Sequence, residues 1–297
     1  MRRIAPSAVR RNALGATLGV LGMVCGSVSL AIAQGAVAQG HEGHRVDLVN
    51  RLSLRVCADP SNLPFSNEKG EGFENKIAEI VAAELKVPIE YVWYPMATGF
   101  IRNTLFAKRC DVVMGYAQGD ELVLNTNHYY SSAYTLVYRA GHGLDGADSL
   151  ADSRLKEKHI GIIAGTPPAT TMAALGLIVN AKPYPLVVDT RYEAPAKRMI
   201  DDIRAGAIDA GVLWGPIAGY FAANGGETLN VVPLLKEKVG PRLTYRITFG
   251  VRQLEDDWKR QLNALISKLQ GKFDTVLLQY HVPLLDEQNH LITTPRQ

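Results

Sequence analysis

"RVCADPSNLPFS", residues 55–66, starts as a strand and ends as a loop. Leu54 to Ala58 is short and apolar, whereas Asp59, Asn62 and Ser66 follow among Pro60, Pro64 and Phe65. In an open α/β sheet, a polar loop at the carboxyl end of a strand is where ligands are held. The flanking pattern supports such a sheet. Residues 74–86 read as a helix with Ile77, Ile80, Val81 and Leu85 on one face. Pro88 to Tyr94 reads as a second strand, 99–108 as a helix and Asp111 to Tyr116 as a third strand. This alternation predicts a mostly parallel sheet covered by helices.

After "YTLVYRAGHG" (134–143) the alternation restarts. His159 to Ile163 and Pro185 to Val188 read as strands, and 167–177 as a helix opened by Pro167 and Pro168. Residues 194–204 place Ala196, Met199, Ile200 and Ile203 at helical spacing, and Ile208 to Trp214 and Asn230 to Leu235 read as strands. "LTYRITFGV" (243–251) alternates polar and apolar residues. Trp258, Leu262, Leu265, Ile266 and Leu269 then line a long last helix. Two α/β units are expected, with no internal repeat.

The amino end reads separately. Arg2, Arg3, Arg10 and Arg11 precede an uncharged run from Ala13 to Ala33, and Ala31-Ile32-Ala33 and Ala36-Val37-Ala38 end in small residues. This composition predicts a secretory signal peptide over residues 1–38. Gly and Ser dilute the run, which argues against a membrane anchor. The mature chain is expected to be exported and soluble.

The whole chain has 32 basic and 29 acidic residues, a formal +3. Residues 1–38 hold four Arg and no acid, so the remainder is 28 minus 29, or −1. No basic footprint for nucleic acid remains. Apart from Cys25 in the leader, only Cys57 and Cys110 are present, an even pair suited to an oxidising compartment. A bridge would close a loop of about 54 residues and contribute roughly 4 kcal/mol in the chain-entropy model. Two buried thiols are the alternative.

Enzyme signatures are mostly missing. No GxSxG, Walker loop or HExxH occurs, and "HEGH" (41–44) lacks the gap of the zinc motif, so no metal is expected. Asp59, Glu74 and Asp189 supply carboxylates, but every α/β protein contains such residues. "GIIAGTPPATT" (161–171) lacks the lysine of a phosphate loop and the three glycines of a dinucleotide site. It is expected to open a helix with free N–H groups facing a cleft.

Several blocks, taken together, resemble a periplasmic solute-binding protein of the amino-acid type. They are "LRVCADPSNLPFS", "GFENKIAEIVAAELKVPIEYVWYP", "CDVVMGY", "HYYSSAYTLVYR", "GIIAGTPPATT" and "GAIDAGVLWGPIAGYF", in this order. The resemblance implies a type II periplasmic-binding-protein-like α/β fold, two lobes joined by a two-segment hinge around a cleft. "YTLVYRAG" and "LTYRITFGV" both pass between the units, which places lobe 1 at 50–138 plus 248–297 and lobe 2 at 139–247. It also implies a strand order of 2-1-3, which makes the strands of Cys57 and Cys110 neighbours. A disulfide between them is expected.

The opening block, "CDVVMG" and "LWGPIAGYFA" more narrowly resemble the MxaJ/XoxJ family, periplasmic binding-protein homologues encoded with quinoprotein methanol dehydrogenases. XoxJ, the companion of the lanthanide-dependent enzyme, is favoured over MxaJ. The resemblance implies a non-enzymatic periplasmic accessory protein without a cofactor. It would bind, activate or mature a PQQ-dependent methanol dehydrogenase. The alternative is the solute-binding component of an ABC importer for a non-amino-acid small molecule.

One departure bears on that choice. Amino-acid carriers follow the third strand with a Thr and an Arg that clamp the ligand carboxylate. Here "GYAQGDELVLNT" (115–126) offers Asp120 and Glu121 and no Arg. An arginine fork is the natural partner of a carboxylate, so a free amino acid is not expected as ligand. Cleft residues are expected to be Asp59, Asn62, Phe65, Tyr116 and Gln118 on one wall. Gly165, Thr166, Asp189 and Trp214 form the other. Tyr129 and Tyr130 are expected either to anchor a partner at the rim or to pack under the hinge.

Overall fold

Leu54–Ala58 forms β1 and alternates as its sequence requires. Leu54, Val56 and Ala58 join one core, while Cys57 points into a second on the opposite face. The computed structural model describes residues 48–296. The expected leader and "HEGH" lie outside the described residues.

Two short strands follow, β2 (Ser61–Asn62) and β3 (Ser66–Asn67), and then α1 (Phe73–Leu85), β4 (Ile89–Trp93) and α2 (Phe100–Asn103). Next come β5 (Val112–Ala117) and the long β6 (Leu124–Arg139). The second unit contains β7 (Ile160–Ile163), α3 (Pro167–Ala174), β8 (Ala181–Tyr184) and α4 (Pro195–Arg204). It continues with β9 (Ala210–Trp214), α5 (Gly215–Ala223) and β10 (Leu229–Pro233). The chain ends in β11 (Thr244–Val251) and α6 (Asp256–Gln279).

The main sheet runs β4-β1-β5-β11-β6-β9-β7-β8, and β10 also pairs with β6. β4, β1 and β5 are parallel and lie in the expected order of second, first and third strand. β8, β7 and β9 form another parallel block. β6 joins the two. Its residues 124–133 pair with β11, and its residues 134–139 pair with β9 and β10, all antiparallel.

Each parallel block is covered on both faces. α1 and α6 bury Phe73, Ile77, Trp258, Leu262, Ile266 and Phe273 against β1, β5, β6 and β11. Packing of α3 places Met172 against Ile160, Ile162 and Val212, while α4 brings Met199, Ile200 and Ile203 onto Val137 and Leu213. Tyr129 and Tyr130 are fully buried in the first core. They therefore pack under the sheet crossing and offer no surface to a partner.

Two elements differ from the expected ones. Residues 99–108 give only the four-residue α2, because the backbone leaves helical geometry at Thr104 (φ −119°, ψ −80°). The strand expected at 185–188 lies earlier, as β8. Pro183 is tolerated there because β8 is an edge strand, paired only with β7.

Cys57 and Cys110 are disulfide-bonded, with Cα atoms 5.4 Å apart. Cys110 leads into Asp111, which is fully buried at the meeting of several elements. Its carboxylate accepts two hydrogen bonds from Arg55 of β1 (2.7 Å each) and one from Arg252 after β11 (2.6 Å). The Trp258 indole of α6 donates to the Asp111 carbonyl (3.2 Å). Arg252 also donates to the Cys110 carbonyl.

Candidate functional site

The loop after β1 is held by its own polar groups. Asp59 is completely buried. Its carboxylate accepts the Ser61 N–H (2.8 Å), the Met96 N–H (2.6 Å) and the Thr190 hydroxyl (2.8 and 2.9 Å). The Ser66 hydroxyl donates to the Asp59 carbonyl (2.9 Å) and closes the β2–β3 turn. Phe65 stands edge-on to Phe73 at 5.3 Å and packs on α1. Gly72, which caps α1, is required by that approach, because a Cβ there would meet the Phe65 carbonyl oxygen at 2.0 Å.

Beside this loop lies a cavity of about 580 Å³. The first unit contributes Asn62, Leu63, Asn67 and Met96, and β6 contributes Tyr134. The second contributes Ile163, Thr166, Leu186, Val188, Leu213, Trp214, Ile217, Tyr220 and Phe221, among others. Trp214 meets Tyr134 edge-on at 5.3 Å, and Tyr220 stacks on Tyr280 at 5.9 Å. Burial pushes the Tyr134 hydroxyl up to about 12, so it stays protonated at neutral pH.

Of the residues expected to face the cleft, Asn62, Thr166 and Trp214 line this cavity. The others stand elsewhere. Asp59 lies behind the loop, bonded as described, and Phe65 packs on α1. The Tyr116 carbonyl accepts the Thr248 hydroxyl (3.1 Å), and the Gln118 N–H donates to Arg246 (2.9 Å), which binds both to β11. Gly165 turns the chain after β7 at φ +80°, and Asp189 pairs with Arg191 (2.6 Å). The aromatic lining was not anticipated apart from Trp214. Its signal was present in the sequence, since Trp214, Ile217, Phe221 and Asn224 form a stripe at helical spacing along α5. Tyr134 carries no such signal, because it sits within a strand that serves both units.

The expected free N–H groups at the start of α3 are not there. Pro167 and Pro168 have none. The Thr166 N–H and hydroxyl both turn back to the Ile163 carbonyl (3.3 and 2.7 Å), and the Ala169 N–H bonds Thr166 (3.0 Å). Outside the cavity, Glu74 of α1 is buried against β5, so close that a Cβ on Gly115 would meet its carboxyl oxygen at 2.1 Å. Burial, and then the charge of Asp59, push Glu74 up to about 8.

No family model matches the chain. A protein called MoxJ from Methylorubrum extorquens is 29% identical over 97% of this chain and 98% of its own length. The crystal structure of the periplasmic binding protein XoxJ from Methylobacterium extorquens AM1 is 45% identical. The match covers 79% of this chain and all of that one, with a TM-score of 0.67. The structure of MxaJ from Methlophaga aminisulfidivorans MPT is 25% identical, covering 78% of this chain and all of that one, with a TM-score of 0.68.

Proposed function

This chain belongs to the MxaJ/XoxJ family, with a type II periplasmic-binding-protein fold, and on that premise we propose a non-enzymatic accessory role in methanol oxidation. In this reading it works in the periplasm after removal of its signal peptide, with lobe 1 formed by 50–138 plus 248–297 and lobe 2 by 139–247. Its partner is a PQQ-dependent methanol dehydrogenase, which it binds to activate or mature; the lanthanide-dependent enzyme is the favoured form. The chain needs no cofactor or metal of its own for that task.

One observation carries the proposal: the cavity keeps the place of a solute site without the clamp of a carrier. Among the described residues its lining contains no arginine, and its one lysine, Lys197, donates to Asp201 (2.7 Å). Of the carboxylates singled out in the sequence, Asp59 is held by three donors, Glu74 is buried outside the cavity and Asp189 pairs with Arg191. At the mouth, the loop after β8 exposes Leu186 (55%), Val187 (62%) and Tyr192 (80%). Apolar side chains grouped at such a rim suit a protein partner.

The enclosed volume favours a second reading, a carrier that delivers a non-amino-acid solute to an importer. The two readings separate when the mature protein is added to dehydrogenase made in cells lacking this chain. Dye-linked methanol oxidation should rise, and surface plasmon resonance should show association. No association at up to about 100 μM, with unchanged activity, would remove the docking role and leave the carrier.

A further inference from the structure

We propose that the cavity takes an uncharged aromatic group and turns away carboxylates. This rests on the reading above only in treating the cavity as the working site. Three helices begin there: the cap residues Thr166 of α3, Ala194 of α4 and Trp214 of α5 all line it. Helix starts ordinarily offer free N–H groups to anions. Each of these carries proline in its first turn: Pro167 and Pro168, Pro195, and Pro216. Proline has no N–H to give.

At α3 the neighbouring donors are also consumed, since Thr166 and Ala169 bond within their own turn. Lys197 is directed to Asp201, and Glu193, which Arg198 meets at 3.9 Å, brings a carboxylate to the lining. A carboxylate entering the cavity would therefore exchange its water for neutral donors alone, and for fewer backbone N–H groups than three helix starts ordinarily offer. An aromatic ring meets the opposite conditions. Trp214, Tyr134, Tyr220 and Phe221 offer faces and edges, and Met96 a polarisable thioether. The Asn62 amide and the Tyr134 hydroxyl line the cavity without a hydrogen-bond partner among the described residues. Both are neutral, and they fit a neutral polar substituent on the ring.

The test uses the mature chain and the neutral probe N-phenyl-1-naphthylamine, whose fluorescence rises in apolar surroundings. Two competitors share one ring and differ at one terminus, a neutral amide in N-acetyl-L-phenylalaninamide and a carboxylate in N-acetyl-L-phenylalanine. The amide should displace the probe at a concentration about tenfold lower than the carboxylate does. Ile217→Glu should abolish the fluorescence rise at an unchanged melting temperature. Pro167→Ala with Pro168→Ala returns two N–H donors and should narrow the tenfold gap to about threefold. Equal displacement by both competitors, no probe binding at about 100 μM, or an unchanged gap in the proline variant would each overturn the proposal. A final arm adds methanol dehydrogenase. Displacement of the probe assigns the ring to a side chain of that enzyme, and retention assigns it to a free molecule. Absence of any dehydrogenase association in the resonance assay leaves the probe result intact, so the two readings fail separately.

Discussion

Glu74 holds a proton that the unfolded chain would release. Around it stand Asp59 of the β1 loop, Tyr91 of β4 and Tyr129 and Tyr130 of β6, and among the described residues no basic side chain pairs with it. Its carboxyl group is raised from 4.5 to about 8, so between those values the folded protein binds more protons than the unfolded one. Its stabilising effect is complete below 4.5 and fades as the pH rises to about 8. The loss is at most about 1.4 kcal/mol per pH unit. Glu74→Gln should match the wild type in urea at pH 4 and exceed it at pH 8. A variant with the wild-type slope would refute this. Thr190 is the second informative residue. Its hydroxyl ties the loop after β8 to Asp59 across 131 residues of sequence, a contact with no local signature. Thr190→Val should cost about 1.5–3 kcal/mol, the range for a hydrogen bond to a charged group. It should also speed tryptic cleavage after Arg191, and an unchanged cleavage rate would mean that the loop is held by other contacts.

Elements with a strong period were legible before any coordinates. β1, β5, α1 and α6 each carry their apolar residues at the spacing their geometry demands, and the structure places them there. α2 and β8 were not legible, because the backbone turns out of helical geometry at Thr104 and an edge position lets the second contain proline. The site was legible in part, through residues at strand ends such as Thr166 and Trp214. The partners of Asp59 and the position of Tyr134 depend on which strands become neighbours. Asp111 illustrates the same dependence, since Arg55, Arg252 and Trp258 reach it from β1, the end of β11 and α6. Asp111→Ala should destabilise by about 3–5 kcal/mol, because it removes the buried carboxylate that Arg55 and Arg252 share. A loss below about 1 kcal/mol in urea unfolding would show that Glu255, which pairs with Arg252 at 2.6 Å, suffices alone. Replacing both Cys57 and Cys110 by Ser should cost roughly 4 kcal/mol. Titration of the denatured, unreduced protein should find neither thiol free.

At the scale of the molecule, one strand belongs to both units. β6 gives its first ten residues to β11 and its last six to β9 and β10, so the two parallel blocks are joined by shared backbone hydrogen bonds. The order of synthesis gives this arrangement a cost in time. β5 lies between β1 and β11, and β11 begins only at Thr244. A chain that emerges amino end first holds Val112 to Ala117 as an open, apolar edge while more than a hundred further residues appear. Non-local closure of this kind is slow, and an unpaired edge invites pairing with other chains. A chain ended at Pro241, before β11, should aggregate at concentrations where the full chain stays dispersed, as light scattering would show. The same wait makes the nascent chain a natural client for holding chaperones, until the last strand to arrive closes the first sheet begun.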